Sequence, residues 1–176
     1  VGTVIGFPHG TTSTAAKVAE TRQAAADGAS EFDMVVNIGA LRSGFDDVVR
    51  DDIRAVVEAA GGAVTKVILE VSLLDDEQIE RGSRLAEEAG ADFVKTSTGF
   101  AGGGATVETV SLMRRTVGPD TQVKASGGVR SLQDAIAMLD AGATRLGTSG
   151  SATILGELRR IAAGGTASGA VDESSY

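Results

Sequence analysis

Residues 88–100 read EAGADFVKTSTGF: a helix stop, a short apolar run, then a lysine that passes at once into Thr, Ser, Thr and Gly. Glycine at the end of a helical pattern marks a left-handed stop. ADFVKTS has the length and composition of a buried strand. An ammonium group at the inner end of such a strand is costly to desolvate, so Lys95 either packs against a carboxylate or serves as an amine. The same junction of helix stop and strand entry recurs as DGAS at 27–30 and DAGATR at 140–145. Gly28, Gly61, Gly90, Gly118 and Gly142 fall where helices end, on a beat of roughly thirty residues, the size of one β/α unit.

Working outward, six strand candidates alternate with helical patterns: VGTVIGF, FDMVVNI, TKVILEV, ADFVKTS, TQVKASG and TRLGTSG. Val49, Ile53, Val56, Val57 and Ala60 form one helical stripe, and Leu132, Ala135, Ile136 and Leu139 another, each suited to lying on a sheet. Ser131 with Asp134, and Asp75 with Gln78, have the spacing of helix N-terminal caps. Repetition of one junction favours a ring of equivalent units over a doubly wound sheet, and no G-x-G-x-x-G follows the first strand. The expected fold is therefore an α/β TIM (β/α)8-type barrel. A closed barrel needs eight strands and about 200 to 250 residues. This chain has 176 residues and six strand candidates, so two β/α units are expected to be missing at the N-terminus. Residues 1–160 are expected to form the barrel domain, and 161–176, rich in small and polar residues, a flexible tail.

Composition narrows the chemistry. A formal net charge of −8 with no basic run argues against nucleic acid as a partner, because displacing its counterions needs clustered Lys and Arg. There is no cysteine, hence no disulfide, thiolate nucleophile or zinc–thiolate site. No apolar run is long enough to cross a bilayer and no signal peptide opens the chain. A soluble cytoplasmic protein without a membrane partner is the expectation.

In parallel β/α folds, functional groups gather at the C-terminal strand ends. Asp33 and Asn37 lie on or after the second strand, Glu70 ends the third, Lys95 the fourth, Lys124 the fifth and Ser149 the sixth. Period-two geometry puts Phe93 with Lys95 on one face, and Gln122 with Lys124 on one face of the next strand. Two ammonium groups then meet in one mouth, where mutual repulsion and desolvation favour a neutral, nucleophilic amine. Asp33 is placed to hold one ammonium or to relay protons. The plainer alternative is that such lysines pair with carboxylates and reach out to solvent.

The turns at Thr98–Gly99, Ser126–Gly127–Gly128 and Ser149–Gly150–Ser151 expose backbone N–H groups suited to an anion, although glycine also serves turns alone. AGGGA at 101–105 reads as a flexible loop over the mouth or as part of a phosphate pocket. His9, between Pro8 and Gly10, suggests a turn more than a metal ligand. Lys66 shares strand parity with Glu70 and is expected to pair with it.

These residues resemble the deoxyribose-phosphate aldolases, class I Schiff-base enzymes. The likeness runs through VIGFPHG, EFDMVVNIGAL, KVILE, DFVKTSTGF, VKASGGVR and RLGTSG, in order and spacing. It departs at Phe100, where some members carry a phosphate-facing lysine, at Gly150, where some have a second serine, and at Val71–Ser72, where Thr-Cys is common. The resemblance implies Lys95 as the Schiff-base lysine, Lys124 as the lysine that depresses its pKa, and Asp33 as partner in proton relay. Gly99, Gly127, Gly128 and Ser149, with Thr98 and Gly150 beside them, would hold the phosphate. It further implies reversible cleavage of 2-deoxy-D-ribose 5-phosphate to acetaldehyde and D-glyceraldehyde 3-phosphate, without metal or organic cofactor. In some members a terminal tyrosine assists proton transfer at the enamine carbon, and Tyr176 is this chain's only tyrosine and its last residue. A homodimer is compatible with the sequence, which does not fix the assembly. The alternatives are another phosphate-binding barrel enzyme, such as a different Schiff-base aldolase or an isomerase, and an inactive truncated fragment.

Overall fold

The computed structural model describes residues 1–172. Tyr176 lies outside the described residues. Six strands form one parallel sheet in sequence order: β1 (Gly2–Ile5), β2 (Glu31–Val35), β3 (Val64–Ile68), β4 (Phe93–Lys95), β5 (Gln122–Ser126) and β6 (Arg145–Gly147). Between them run α1 (Thr14–Ala26), α2 (Ile38–Arg42), α3 (Asp46–Ala59), α4 (Asp76–Glu88), α5 (Val107–Thr116) and α6 (Leu132–Asp140), and α7 (Ser151–Ala162) follows β6. Each expected strand is present. Among the described residues no helix is long and apolar enough to cross a membrane.

The sheet curls, as polar contacts across its inner face show. With neighbouring strands about 4.8 Å apart, β6 would stand roughly 19 Å from β2 in a flat sheet. Yet Arg145 on β6 bonds Glu31 on β2, and Lys124 on β5 stands 2.8 Å from Asp33 on β2. The result is an arc of β/α units of the TIM-barrel type, with β1 and β6 at its edges.

The two faces of the arc differ in kind. Outward-facing Phe32, Met34, Val67, Val94, Val123 and Ala125 pack with Val49, Ile53 and Val56 of α3, Ile79 and Leu85 of α4, and Val110 and Met113 of α5 in one continuous apolar core. The inward-facing set brings the charged Glu31, Asp33, Lys66, Lys95, Lys124 and Arg145 together, beside the apolar Val35, Ile68 and Phe93. Alternation along each strand separates these sets, so a one-residue slip would carry the charges into the apolar layer.

Helix α1 has little apolar face; its buried residues are Lys17 and Thr21. It is held instead by a closed polar contact: Lys17 Nζ stands 2.6 Å from Asp52 Oδ2 on α3 and donates to the Val35 carbonyl at 3.0 Å.

Capping boxes form at Asp75–Gln78 and Ser131–Asp134, where the spacing places them. Gly28, Gly61, Gly90 and Gly142 follow helix ends with positive φ. Gly118 does not: its N–H donates to Glu87 at 2.7 Å, and Arg114 collects the carbonyls of Val117, Gly118 and Thr121 at the end of α5. Two further expectations are corrected. FDMVVNI is not strand throughout, because Asn37 caps α2 through its side-chain oxygen and Ala40 N. On α6 the buried stripe is Leu132, Ala135 and Met138, whereas Ile136 and Leu139 are exposed.

Beyond α7 the chain turns back. Ser168 and Gly169 donate their N–H groups to the buried carboxylate of Glu157 at 3.0 and 2.9 Å. Asp172 N donates to the Arg130 carbonyl at 2.9 Å, and Val171 bridges antiparallel to Ser131.

Candidate active site

Asp33 is the hub of the inner face. Register sets it opposite Lys66 on β3, and sets Lys95 on β4 opposite Lys124 on β5. Lys66 Nζ lies 2.8 Å from Asp33 Oδ1, and both Lys95 Nζ and Lys124 Nζ lie 2.8 Å from Asp33 Oδ2. The two ammonium nitrogens are thus neighbours across a single oxygen atom. Lys66 also bonds Glu31 at 2.6 Å, and Glu31 bonds Arg145. Lys66 and Arg145 both stand over the Phe93 ring, 5.9 and 5.3 Å from its centroid. The expected Lys66–Glu70 pair does not form. Parity alone allowed it, but register brings Asp33 nearer.

The cluster is not electrically balanced: Lys66, Lys95, Lys124 and Arg145 face two carboxylates. Burial pushes the Asp33 carboxyl up, but its neighbours, Lys95 foremost, then Lys124 and Lys66, outweigh burial and hold it below the usual carboxylate range. Lys95, only 7% exposed, moves the other way from an ordinary lysine. Desolvation lowers its pKa; Asp33 opposes this and Lys124 adds to it, and the balance stays below the usual lysine value. One carboxylate oxygen shared by two ammonium groups cannot restore what burial removes.

Above Lys95 opens a cavity of about 750 Å³, within the range of small-molecule sites. Its walls include Thr98 and Gly99 from the β4–α5 loop, Gly127 and Gly128 after β5, and Ser149 after β6. Asp33 and Lys124 touch Lys95's end of the cluster and do not line the cavity themselves. Gly150 stands back from the cavity as the N-cap of α7, where its N–H donates to Thr148 Oγ1 at 2.9 Å. Among the described residues no acceptor meets the backbone N–H of Gly99, Gly127 or Gly128. Such unspent donors in a concave wall suit an anion. Arg130, which the sequence reading passed over, also lines the cavity; its signal was its place at the end of SGGVR.

AGGGA is a fitted wall. Ala105 N donates to the carbonyls of Ser126 and Gly127 at 3.2 and 3.0 Å. A Cβ on Gly104 would stand 2.4 Å from the Gly127 carbonyl oxygen, so only glycine fits there. At the lip, Phe7 and Phe100 meet edge to face with centroids 5.4 Å apart.

Glu70 is the other unusual member. It is 1% exposed and has φ 59°, the one positive φ at a non-glycine residue among those described, a conformation costing on the order of 1 kcal/mol. Its carboxylate accepts from the Thr98 hydroxyl and from Thr98 N at 3.3 Å. His9 shares a smaller cavity of about 310 Å³ with Glu70, Thr98 and Phe100. Among the described residues no group of three His, Cys, Asp or Glu side chains is placed to hold a metal ion.

Comparison with known proteins agrees with this geometry. The chain is 62% identical over 159 residues to deoxyribose-phosphate aldolase 1 of Oceanobacillus iheyensis, covering 89% of this chain and 72% of that one. A solved structure from Coccidioides immitis superposes with a TM-score of 0.88 at 49% identity, covering 90% of this chain and 64% of that one, so this chain spans less than two thirds of its length. The tetrameric deoxyribose phosphate aldolase of Aeropyrum pernix gives a TM-score of 0.83 at 36% identity, covering 91% and 68%. A family model, that of the DeoC/LacD family aldolases, matches residues 1–168. With the inner-face lysines, the glycine-walled cavity and nearly the whole chain inside that match, the protein belongs to the DeoC/LacD family of aldolases.

Proposed function

We propose that the protein cleaves 2-deoxy-D-ribose 5-phosphate reversibly through an imine on Lys95. The carrying observation is the position of Lys95 Nζ: at the cavity floor, desolvated, and beside Lys124 across one oxygen of Asp33. The fraction of neutral Lys95 attacks the C1 aldehyde of the open-chain sugar. The carbinolamine loses water to give the imine. Loss of the C3 hydroxyl proton then breaks the C2–C3 bond, its electron pair moves into the imine to form an enamine, and D-glyceraldehyde 3-phosphate leaves. Protonation of the enamine carbon and hydrolysis release acetaldehyde and restore the amine.

Asp33 keeps both ammonium groups in place, and its depressed pKa makes it an orienting group that passes protons through Lys124 more than a store for them. The N–H groups of Gly99, Gly127 and Gly128, with the Ser149 hydroxyl, receive the phosphate; Thr98 lines that wall beside them with its own hydroxyl committed to Glu70, and Gly150 supports it as the cap of α7. A role for Tyr176 in enamine protonation rests on the family resemblance alone. Cytoplasmic work and self-association, a homodimer at the smallest, complete the reading, in keeping with the tetramer of the Aeropyrum relative.

The test is reduction with borohydride in the presence of acetaldehyde, followed by peptide mass spectrometry. The expected result is a two-carbon adduct on Lys95. A folded protein that gives no adduct there overturns the assignment.

A further inference from the structure

We propose that residues 166–172 form a strap, anchored by Glu157, that holds the Asp172 carboxylate against the anion wall, so that strap and substrate phosphate compete for one corner of the cavity. This role rests on the reading of the turns after β5 and β6 as the phosphate wall, and adds to it a competing anion from the chain itself.

The strap has two holds. The first is Glu157 on α7, a buried carboxylate whose charge must be met from nearby. One of its oxygens accepts from Ser168 N and Gly169 N at 3.0 and 2.9 Å. Arg160 stands 3.5 Å from the same oxygen and also donates to Ser168 Oγ at 2.6 Å. The second hold is on the turns of the cavity. Asp172 N donates to the Arg130 carbonyl at 2.9 Å and Val171 bridges to Ser131, both on the turn after β5. The Asp172 side chain lies against Gly150 on the turn after β6: a Cβ built on Gly150 would come within 3.1 Å of Asp172 Oδ2. Arg130, and Ser149 next to Gly150, line the cavity.

Asp172 has thus settled at the N-terminal end of α7, whose N-cap Gly150 supplies no side-chain acceptor. The open N–H groups and the helix dipole there favour an anion. A phosphate held by Gly127, Gly128 and Ser149 draws on the same positive end and repels a carboxylate beside it. One of the two must give way. Residues 163–169 are exposed, so the strap hangs on Glu157 and a few main-chain bonds, and segments held so lightly open at low cost.

The test uses the full chain with inorganic phosphate as the anion. Titration calorimetry gives its dissociation constant, and hydrogen exchange follows the Ser168, Gly169 and Asp172 amides. In the parent protein, saturating phosphate should speed exchange at these amides severalfold. Asp172→Asn keeps the main-chain bonds and removes the charge, and should bind phosphate about five times more tightly. Glu157→Leu keeps the Asp172 charge but drops the anchor, and should tighten phosphate by a similar factor. Glu157→Gln, whose amide oxygen still accepts both N–H groups, should stay within about twofold of the parent. Exchange that phosphate slows or leaves unchanged overturns the proposal, as does an unaltered or weaker affinity in Asp172→Asn or in a folded Glu157→Leu. Melting temperature checks folding; should Glu157→Leu fail to fold, Asp172→Asn decides alone. If neither parent nor variant binds phosphate, the phosphate wall falls and the strap with it, whereas binding without displacement sinks the strap alone. Borohydride trapping on the parent protein reads the Lys95 assignment separately.

Discussion

Two buried lysine clusters occupy this small fold, and they differ in one respect. Lys17 meets Asp52 one to one, takes a backbone carbonyl as its second acceptor, and is fully enclosed. Lys95 shares Asp33 with Lys66 and Lys124 and opens into a cavity. Desolvation acts on both. Balance distinguishes them: a closed pair ties α1 to α3, whereas an excess of cations around one carboxylate leaves an amine whose charge is poorly supported. A buried lysine is therefore not a functional signal by itself. The count of carboxylates around it is.

The sharpest way to break this contrast is to remove one lysine from each cluster. Lys95→Leu should abolish cleavage of deoxyribose 5-phosphate while the protein stays folded, as followed by an aldehyde-coupled assay and circular dichroism. Lys17→Met should do the reverse, leaving Asp52 buried and unpaired at a cost on the order of 3 kcal/mol, read from urea midpoints, with kcat/KM within about threefold of the parent. If Lys17→Met abolished turnover in a folded protein, the two clusters could not be told apart by balance.

Asp33→Asn tests the hub. Three ammonium groups would then face a neutral amide, and stability should fall by about 3 kcal/mol or more. The pH dependence has a definite sign. Because the folded pKa of Asp33 is depressed, its stabilising contribution is whole above about pH 4, the unfolded carboxyl range. It is lost as pH falls through the lower folded value. Asp33→Asn should therefore flatten the acid side of the stability curve, and an unaltered acid slope would count against the hub.

The smallest expected effect is kinetic. Lys124→Met removes a like charge that lowers the Lys95 pKa, so the rising limb of kcat/KM should move to higher pH. The variant should lose more rate at pH 7 than at pH 9. A uniform loss across pH would assign Lys124 to some task other than tuning.

How far the sequence revealed these clusters follows from the distance over which each signal acts. Strand positions, the two expected capping boxes and four of five helix stops were legible because they depend on residues a few positions apart. Convergence of Lys95, Lys124 and Asp33 followed from period-two alternation in parallel strands. The partner of Lys66 did not, since it depends on how β2 and β3 register, which no local pattern encodes. The Lys17–Asp52 pair escaped notice for a similar reason: it joins two helices 35 positions apart in sequence. Glu70 was seen as a strand-end carboxylate, but its left-handed backbone and its hold on Thr98 appear only when β3 and β4 are set side by side. On α6, Met138 and not Ile136 faces inward, a rotation of the stripe that apolar content alone cannot resolve.

The fitted glycines of the β4–α5 loop carry an implication for how this pocket can diverge. At Gly103 and Gly104 the wall is bare main chain pressed against Ser72 and the Gly127 turn, with no room for a side group. New substrate preferences must then enter through the positions that flank it, at 98–100 on one side and 148–149 on the other. Laboratory selection for altered acceptors should accumulate replacements at those borders and leave the stretch between them untouched.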